Sequence, residues 1–370
     1  MTRTITLWEH DVFPDQTVKI DLPLTSKVNL EELKSKLGVP EYVDLSYFPM
    51  QKAIVTLWAC KHAHELHNMY PNVIGKKISK KPVKTLLFGG GAIKMLCPSA
   101  NIRGSPFNRT MNDVDFLVSR KHHKELKTVL LILDDIAGTR YLHFVTPYEE
   151  RYNTMRPGRV LIRTFNKFSK DGKPIVGLMD ILSDRVEMRH TIDVREDLKI
   201  SSEECLYSIS PHNLLLTKAQ FIVDYPKRKN LPKLEKSQQT YRILPYEYFD
   251  KDRIIIGMED KDFLDTAVLL LDHDFGVDMN QINLIKLKSI LRDGKLRLTF
   301  RLNLQNMLNN LDRLRERGAT ESQINTIESK IKSIFKEIPE ADFNWNKPWW
   351  NIDIEVPDTS GGWAGVTTGS

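Results

Sequence analysis

Cysteine is scarce in this chain and poorly placed to pair. Cys60, Cys97 and Cys205 are three in number, widely separated and without a CxxC spacing. An odd, dispersed set argues against a disulfide framework or a structural zinc site and fits a reducing compartment. Long apolar runs are missing as well: no stretch approaches the roughly 20 apolar residues a membrane span requires. The opening MTRTITLWEHDVFPDQ turns acidic where a signal peptide needs its apolar stretch. A cytoplasmic, soluble protein without a membrane partner is therefore expected. Charge of one sign is not in excess either. A net +6 over 370 residues is compatible with nucleotide or RNA, but it is common among proteins that bind neither. What is present is ordinary globular material, 41% apolar and 9% aromatic, which excludes wholesale disorder, and the length allows two domains.

Residues 1–80 read as short strand-like pieces, then a helix near Asn29–Leu37 and another over Met50–Met69. The basic stretch Lys76–Lys84 reads as a loop. From Val83 strands and helices alternate. Val83–Phe88 is an apolar run into Gly89-Gly90-Gly91, Ala92–Leu96 starts a helix, and Val114–Val118 is a strand. Lys121–Ile136 has the helical spacing Leu126, Val129, Leu130, Leu133. Tyr141–Thr146, Arg159–Phe165 and Ile175–Leu182 read as strands, with a turn at Lys170–Lys173. Beyond Ser201 the pattern becomes mostly helical. Ser210-Pro211 opens one helix by cap and proline chemistry, and others are expected over Lys261–Leu271, Gln281–Leu291, Leu302–Arg317 and Glu321–Lys336. The tail from Trp345 carries four Trp and ends in GGWAGVTTGS, whose last residues read as disordered. The expected class is α+β, a mixed sheet flanked by helices and followed by an α-helical domain. The expected divisions fall at 1–80, 81–205, 206–340 and 341–370.

Three features converge on one site. Glycines at a strand-to-helix turn let backbone N–H groups approach an anion, and the helix N-terminus favours phosphate. Gly89-Gly90-Gly91 sits at such a turn but lacks the Lys-Ser/Thr of a P-loop, so taken alone it reads as a tight turn that merely packs well. Asp113 and Asp115 open the strand DVDFLVS and share one face, Val114 and Phe116 taking the other. Two adjacent carboxylates repel when desolvated and call for cations. Mg²⁺, a hard oxygen-seeking ion, suits them, with Mn²⁺ as the alternative, and two ions can bridge a triphosphate and an attacking hydroxyl. A solvated strand edge is the plainer reading, against which stands the apolar FLV continuation. Asp180 lies within the apolar VGLMDILSD, where a carboxylate is costly unless paired or metal-bound; a lysine partner at the strand end is the plainer account.

The stretches LLFGGGAIKML and NRTMNDVDFLVS, followed by the lone Asp180, resemble the DNA polymerase β-like nucleotidyltransferase superfamily. The likeness is closest to the AbiEii/MenT-type toxin nucleotidyltransferases. Within that subgroup SPHNLLLTK resembles the segment that supplies a functional lysine, here Lys218. EDKDFLDTAVLLL resembles the Lys/Arg-Asp-x-x-Asp helix, here Lys261, Asp262 and Asp265. The likeness spans Val83–Leu271, about half the chain.

The resemblance implies a nucleotidyltransferase core and a Mg²⁺-dependent transfer from an NTP to an acceptor hydroxyl. Asp113, Asp115 and Asp180 are the implied metal-binding and catalytic carboxylates. Gly89, Gly90, Gly91, Arg109 and Lys218 are the implied nucleotide contacts, and Asp262 and Asp265 a second acidic site. The acceptor implied is the 3′ end of tRNA, or a protein hydroxyl as in other relatives, and a toxin of this kind implies a neutralising antitoxin. A small-molecule (antibiotic-type) acceptor and a catalytically silent nucleotide-binding scaffold are the competing readings. The chain departs from the pattern at Gly91, where many relatives carry Ser or Thr. It departs again in the long insertion CPSANIRGSPFNRTMN, and Thr110 stands one residue out of register, which puts nucleotide affinity and choice in doubt.

Other features read more plainly. His62, His64 and His67 (HAHELH) lack the i, i+4 spacing of a helical zinc site, and His122-His123 read as exposed. Trp345, Trp349 and Trp350 read as a packed tail, with base stacking as the lesser alternative. Lys76–Lys84 and Lys227–Lys236 are basic segments that could meet RNA phosphates, although such runs are more often simply solvated.

Overall fold

The computed structural model describes residues 30–137 except 73–76 and 112, residues 178–220 except 205–206, residue 258 and residues 260–340. Short strands at 4–6, 19–21, 161–164, 167–168, 174–176, 223–226 and 253–256 are described in addition. The architecture is α+β. Strands β1 (Thr4–Thr6) and β2 (Lys19–Asp21) form a small antiparallel pair. Three helices follow, α1 (Leu30–Leu37), α2 (Phe48–Lys61) and α3 (Ala63–Met69). Residues 49–60 of α2 are all buried, as expected of a helix enclosed on every side. A single helix over Met50–Met69 is not observed: His62 leaves the helical region (φ −106°, ψ 24°) and redirects α3 onto the later helix α5.

Strand β3 (Thr85–Phe88) leads through the glycines into α4, which begins at Gly89 rather than at Ala92 and runs to Leu96. Strand β4 (Asp113–Val118) pairs antiparallel with β3, and α5 (His123–Ala137) follows it. Leu126, Val129, Leu130 and Leu133 are fully buried, as their spacing requires. Strands β5 (Leu161–Thr164), β6 (Lys167–Phe168), β7 (Pro174–Val176) and β8 (Leu178–Ser183) come next. The expected strand Ile175–Leu182 is thus two strands. The main sheet has the order β3-β4-β8-β5 and is mixed: β4 and β8 are parallel, the two outer pairings antiparallel. Parallel neighbours need a crossover, which α5 supplies.

A hairpin of β9 (Arg185–Glu187) and β10 (Thr191–Asp193) continues the chain. It turns off β8 at Asp184, whose φ of 60° is unusual for a residue with a side chain. The helical portion holds α6 (Arg195–Glu204), α7 (Pro211–Ala219), α8 (Asp260–Asp272) and α9 (Leu284–Ile290), then α10 (Gly294–Leu308), α11 (Asp312–Glu316) and α12 (Glu321–Glu337). A further antiparallel pair, β11 (Val223–Pro226) with β12 (Arg253–Ile256), interrupts it. The expected helix Leu302–Arg317 is two helices, the first starting earlier because Asp293 caps it by accepting from the Lys295 and Leu296 amides. Likewise α9 starts at Leu284, where Asn283 accepts from the Lys286 amide. His122 and His123 are half-buried rather than exposed, since His122 pairs with the buried Glu125 at 2.6 Å. The expected strand Tyr141–Thr146, the turn Lys170–Lys173, the basic segment Lys227–Lys236, Cys205 and the tail from Trp345 lie outside the described residues.

Helices α7 and α8 pack on each other and on α4, so α4 lies between the sheet and the helical portion. Among the described residues one apolar cluster runs from Leu33 to Ile338 through the helices, β3, β4, β8 and the β9–β10 hairpin. Among the described residues no helix is long and apolar enough to cross a membrane.

The start of α7 shows how the layers are joined. Ser210 does not cap its own helix by a side-chain hydrogen bond. Instead its amide (2.9 Å) and hydroxyl (3.0 Å), with the Asn213 side-chain amide (2.9 Å), all donate to Oδ2 of Asp197 on α6. A buried carboxylate thus serves the helix N-terminus from another element. Asp197→Ala leaves three donors unmet and is expected to lower unfolding free energy by about 2–3 kcal/mol, measured by urea denaturation; an unchanged midpoint would contradict this joint.

Candidate active site

The glycine turn is held against the aspartate strand by contacts that only glycine allows. Phe88 is the register partner of Asp115, so the chain leaving β3 passes directly beside the Asp115 carboxyl. Gly89 adopts φ +63°, and a Cβ there would lie 2.3 Å from Oδ2 of Asp115. Both the left-handed backbone and the lack of space exclude a side chain. A Cβ at Gly90 would lie 2.9 Å from Nη2 of Arg109, and one at Gly91 3.0 Å from Cγ2 of Val114. A Ser or Thr side chain would be crowded at position 91.

Strand pairing assembles the three acids. Alternation puts Asp113 and Asp115 on one face of β4, and the parallel register sets Asp115 opposite Asp180 on β8. Arg163 on β5 is the register partner of Asp180 on the far side. Asp113 is exposed, and Asp115 and Asp180 are half-buried. Burial pushes the Asp115 carboxyl well above its ordinary range, and the charges of Asp113 and Asp180 push it further, while Lys218 and Lys261 pull the other way.

The donor set is all carboxylate oxygen, the chemistry a hard divalent ion prefers. Among the described residues no group of three or more His, Cys, Asp or Glu side chains is drawn together tightly enough to hold a metal ion as it stands. The acids therefore form an open set on adjacent strands, not a cage. Mg²⁺ keeps several waters and takes one or two carboxylates together with substrate phosphates. In chemistry, the residues fit such an ion.

The helical portion contributes a buried ion network facing these acids. Arg109 donates to Asp265 through Nε (2.7 Å) and Nη2 (2.6 Å), a two-pronged pairing. Lys218 on α7 lies 3.0 Å from Oδ1 of Asp262 and 2.8 Å from Oδ2 of Asp265 on α8. Burial alone would raise Asp265; Lys218 and Arg109, by charge and hydrogen bonding, more than reverse this and bring its pKa down to about 2. Burial disfavours the Lys218 ammonium, and Asp265 and Asp262 overcome that and raise its pKa. Arg109 is raised in the same way against its own desolvation, chiefly by Asp265. Oδ2 of Asp262 is buried with no hydrogen-bond partner among the described residues.

The structure thus brings together Asp113, Asp115, Asp180, the three glycines, Arg109, Lys218, Asp262 and Asp265. Arg109 and Lys218, the expected phosphate contacts, are each already paired with a carboxylate of α8, and the second acidic site is the partner of both. Of the histidines in HAHELH, His64 meets the Ile78 carbonyl at 3.2 Å and His62 approaches Glu65 at 3.8 Å. Sequence reasoning missed Lys94, which is 2% exposed on α4 close to this network. Its signal was a lysine inside the apolar run AIKML. No family model, no curated protein and no solved structure matches the chain.

Two aspartates of this site have opposite effects on stability. The raised Asp115 folds more easily protonated, so its ionisation costs stability as pH rises past its ordinary 3.8. The depressed Asp265 contributes stability above 3.8 that is lost as pH falls toward about 2. At pH 7 Asp115→Asn is expected to raise Tm in metal-free buffer. Asp265→Asn, which takes from Arg109 its carboxylate partner and leaves Lys218 with Asp262 alone, is expected to lower unfolding free energy by about 3–5 kcal/mol. Thermal melts of both variants check this; a shift of the same sign in both would refute the assignment.

Proposed function

We propose that this protein is a Mg²⁺-dependent nucleotidyltransferase, which moves a nucleotide from an NTP to an acceptor hydroxyl. The single observation that carries the reading is the contact between the Gly89 turn and Asp115, whose register neighbour across the parallel strands is Asp180. A phosphate-approachable backbone and a pair of half-buried acids at one spot suit a nucleoside triphosphate and its metal better than they suit a purely structural role.

In this reading Asp113, Asp115 and Asp180 would hold Mg²⁺, which would supply positive charge to the triphosphate and to the attacking hydroxyl. The amides of Gly90 and Gly91, at the first turn of α4, orient the β- and γ-phosphates. Asp180 accepts the proton of the acceptor hydroxyl as its oxygen attacks the α-phosphorus. The α-phosphorus–oxygen bond to the β-phosphate breaks, pyrophosphate leaves with the electron pair, and the nucleotide stays on the acceptor. Asp262 and Asp265 keep Lys218 and Arg109 ionised and in place beside the glycine turn, where a triphosphate would compete for them. The family resemblance points to RNA, the 3′ end of tRNA in particular, as the acceptor, and to an antitoxin as regulator.

Purified protein with Mg²⁺, each of four α-³²P-labelled NTPs and total RNA is expected to transfer label to RNA from one preferred nucleotide. The Asp113→Ala/Asp115→Ala variant is expected to lose at least about 10³-fold in rate, as befits loss of metal-borne charge stabilisation. Label on a protein band would move the acceptor to a side-chain hydroxyl; no label and no Mg²⁺-dependent NTP binding would overturn the proposal.

A further inference from the structure

Helix α4 carries a charge that the transfer chemistry does not use. Lys94 is 2% exposed, and an ammonium there is costly unless its hydrogens are all engaged. They are. Nζ donates to the Ala100 carbonyl at 2.5 Å and to Oδ1 of Asn108 at 2.7 Å, and it stands 4.5 Å from the centre of the Tyr47 ring, a cation–π distance. The Tyr47 hydroxyl donates to the same Asn108 oxygen at 2.9 Å. The Asn101 side-chain amide closes on the Lys94 carbonyl at 2.8 Å. The loop between α4 and β4 is therefore gripped at both ends, at Ala100–Asn101 and at Asn108. The next residue is Arg109, whose guanidinium lies against Gly90 and Asp265.

We propose that Lys94 is a positioning residue for Arg109: its ammonium ties the loop at 97–111 to α4 and Tyr47, and thereby sets where the guanidinium lies beside the glycine turn. A methionine would fill the same space without the desolvation cost, so packing alone does not call for a lysine here.

The charged and titratable groups facing Lys94 are Arg109 from the loop, Asp44 and Tyr47 from the 41–47 segment, and Asp265 from α8. Burial lowers the Lys94 pKa, Arg109 lowers it further, Asp44 and Asp265 oppose, and the result is about 8. Tyr47 and Arg109 are raised and Asp265 is brought down to about 2, so these three do not titrate near pH 8. Because the folded pKa lies below the ordinary 10.5, overall stability from this group rises between about pH 8 and 10.5. The hold on the loop rests on the hydrogen bonds to Ala100 and Asn108 and on the contact with Tyr47.

Tryptic cleavage of the full chain after Arg103, an exposed residue in the loop, tests this directly. At pH 7 Lys94→Met is expected to be cut about tenfold faster than wild type, the scale of one lost hydrogen bond to a charged group, with Tm little changed. Asn108→Ala, which keeps the ammonium and removes its acceptor, is expected to behave like Lys94→Met. Equal rates in wild type and both variants would overturn the proposal. The second readout rests on the nucleotidyltransferase reading. For whichever of the four Mg-NTPs wild type binds, Lys94→Met should weaken affinity about tenfold, and adding Arg109→Met should weaken it little more. Full additivity of the two changes, or unaltered affinity, would overturn the link to Arg109. Failure of wild type to bind any NTP would instead remove the transferase reading, with the proteolysis still deciding whether Lys94 holds the loop.

Discussion

The parallel pairing of β4 with β8 is the constraint on which the site depends. In that register Asp115 faces Asp180 directly, and period-two alternation brings Asp113 to the same side. Like charges at that spacing, partly withdrawn from water, oppose folding unless something positive approaches. For Asp115 it comes in part from Lys218 and Lys261 of the helical portion and, in the function proposed, from divalent ions brought with substrate.

The same electrostatics explains the partnership of sheet and helices. Lys218 and Arg109 are drawn toward the acidic strand but are fixed by Asp262 and Asp265, which are almost wholly buried. A network in which each cation has a carboxylate partner can be buried without large loss, whereas removing one member leaves an uncompensated charge. Helix α4 lies between the two halves. Its glycines let it approach Asp115 on one side and Arg109 on the other, so the turn that would receive phosphate is also where the layers meet.

Much of this was legible because it rests on periodicity. The apolar run into Gly89, the alternation in DVDFLVS and the spacing of Leu126, Val129, Leu130 and Leu133 each report local structure, and the fold honours them. The β9–β10 hairpin was not legible. Its strands are three residues long, and its entry uses Asp184 at positive φ, where sequence reading expects glycine. Helix α10 starts before its apolar spacing suggests because Asp293 caps it. Pairings across the chain were out of reach. Arg109 meets Asp265 across 156 positions, and no local pattern says that a candidate phosphate ligand will be found holding a carboxylate. Lys94 was hidden for the opposite reason: one lysine in a short apolar helix reads as a solvated edge, and only its enclosure by Tyr47, Ala100 and Asn108 reveals otherwise.

The central claim is that the open acidic set on β4 and β8 and the glycine turn together form one metal–triphosphate site. Its most direct test is anomalous diffraction from crystals soaked in Mn²⁺ with a non-hydrolysable nucleoside triphosphate. The account predicts manganese density bridging Asp115 and Asp180, with phosphate oxygens on the amides of Gly90 and Gly91, and loss of that density in Asp115→Asn crystals. Manganese or triphosphate bound elsewhere, with Asp115 and Asp180 unliganded, would contradict it.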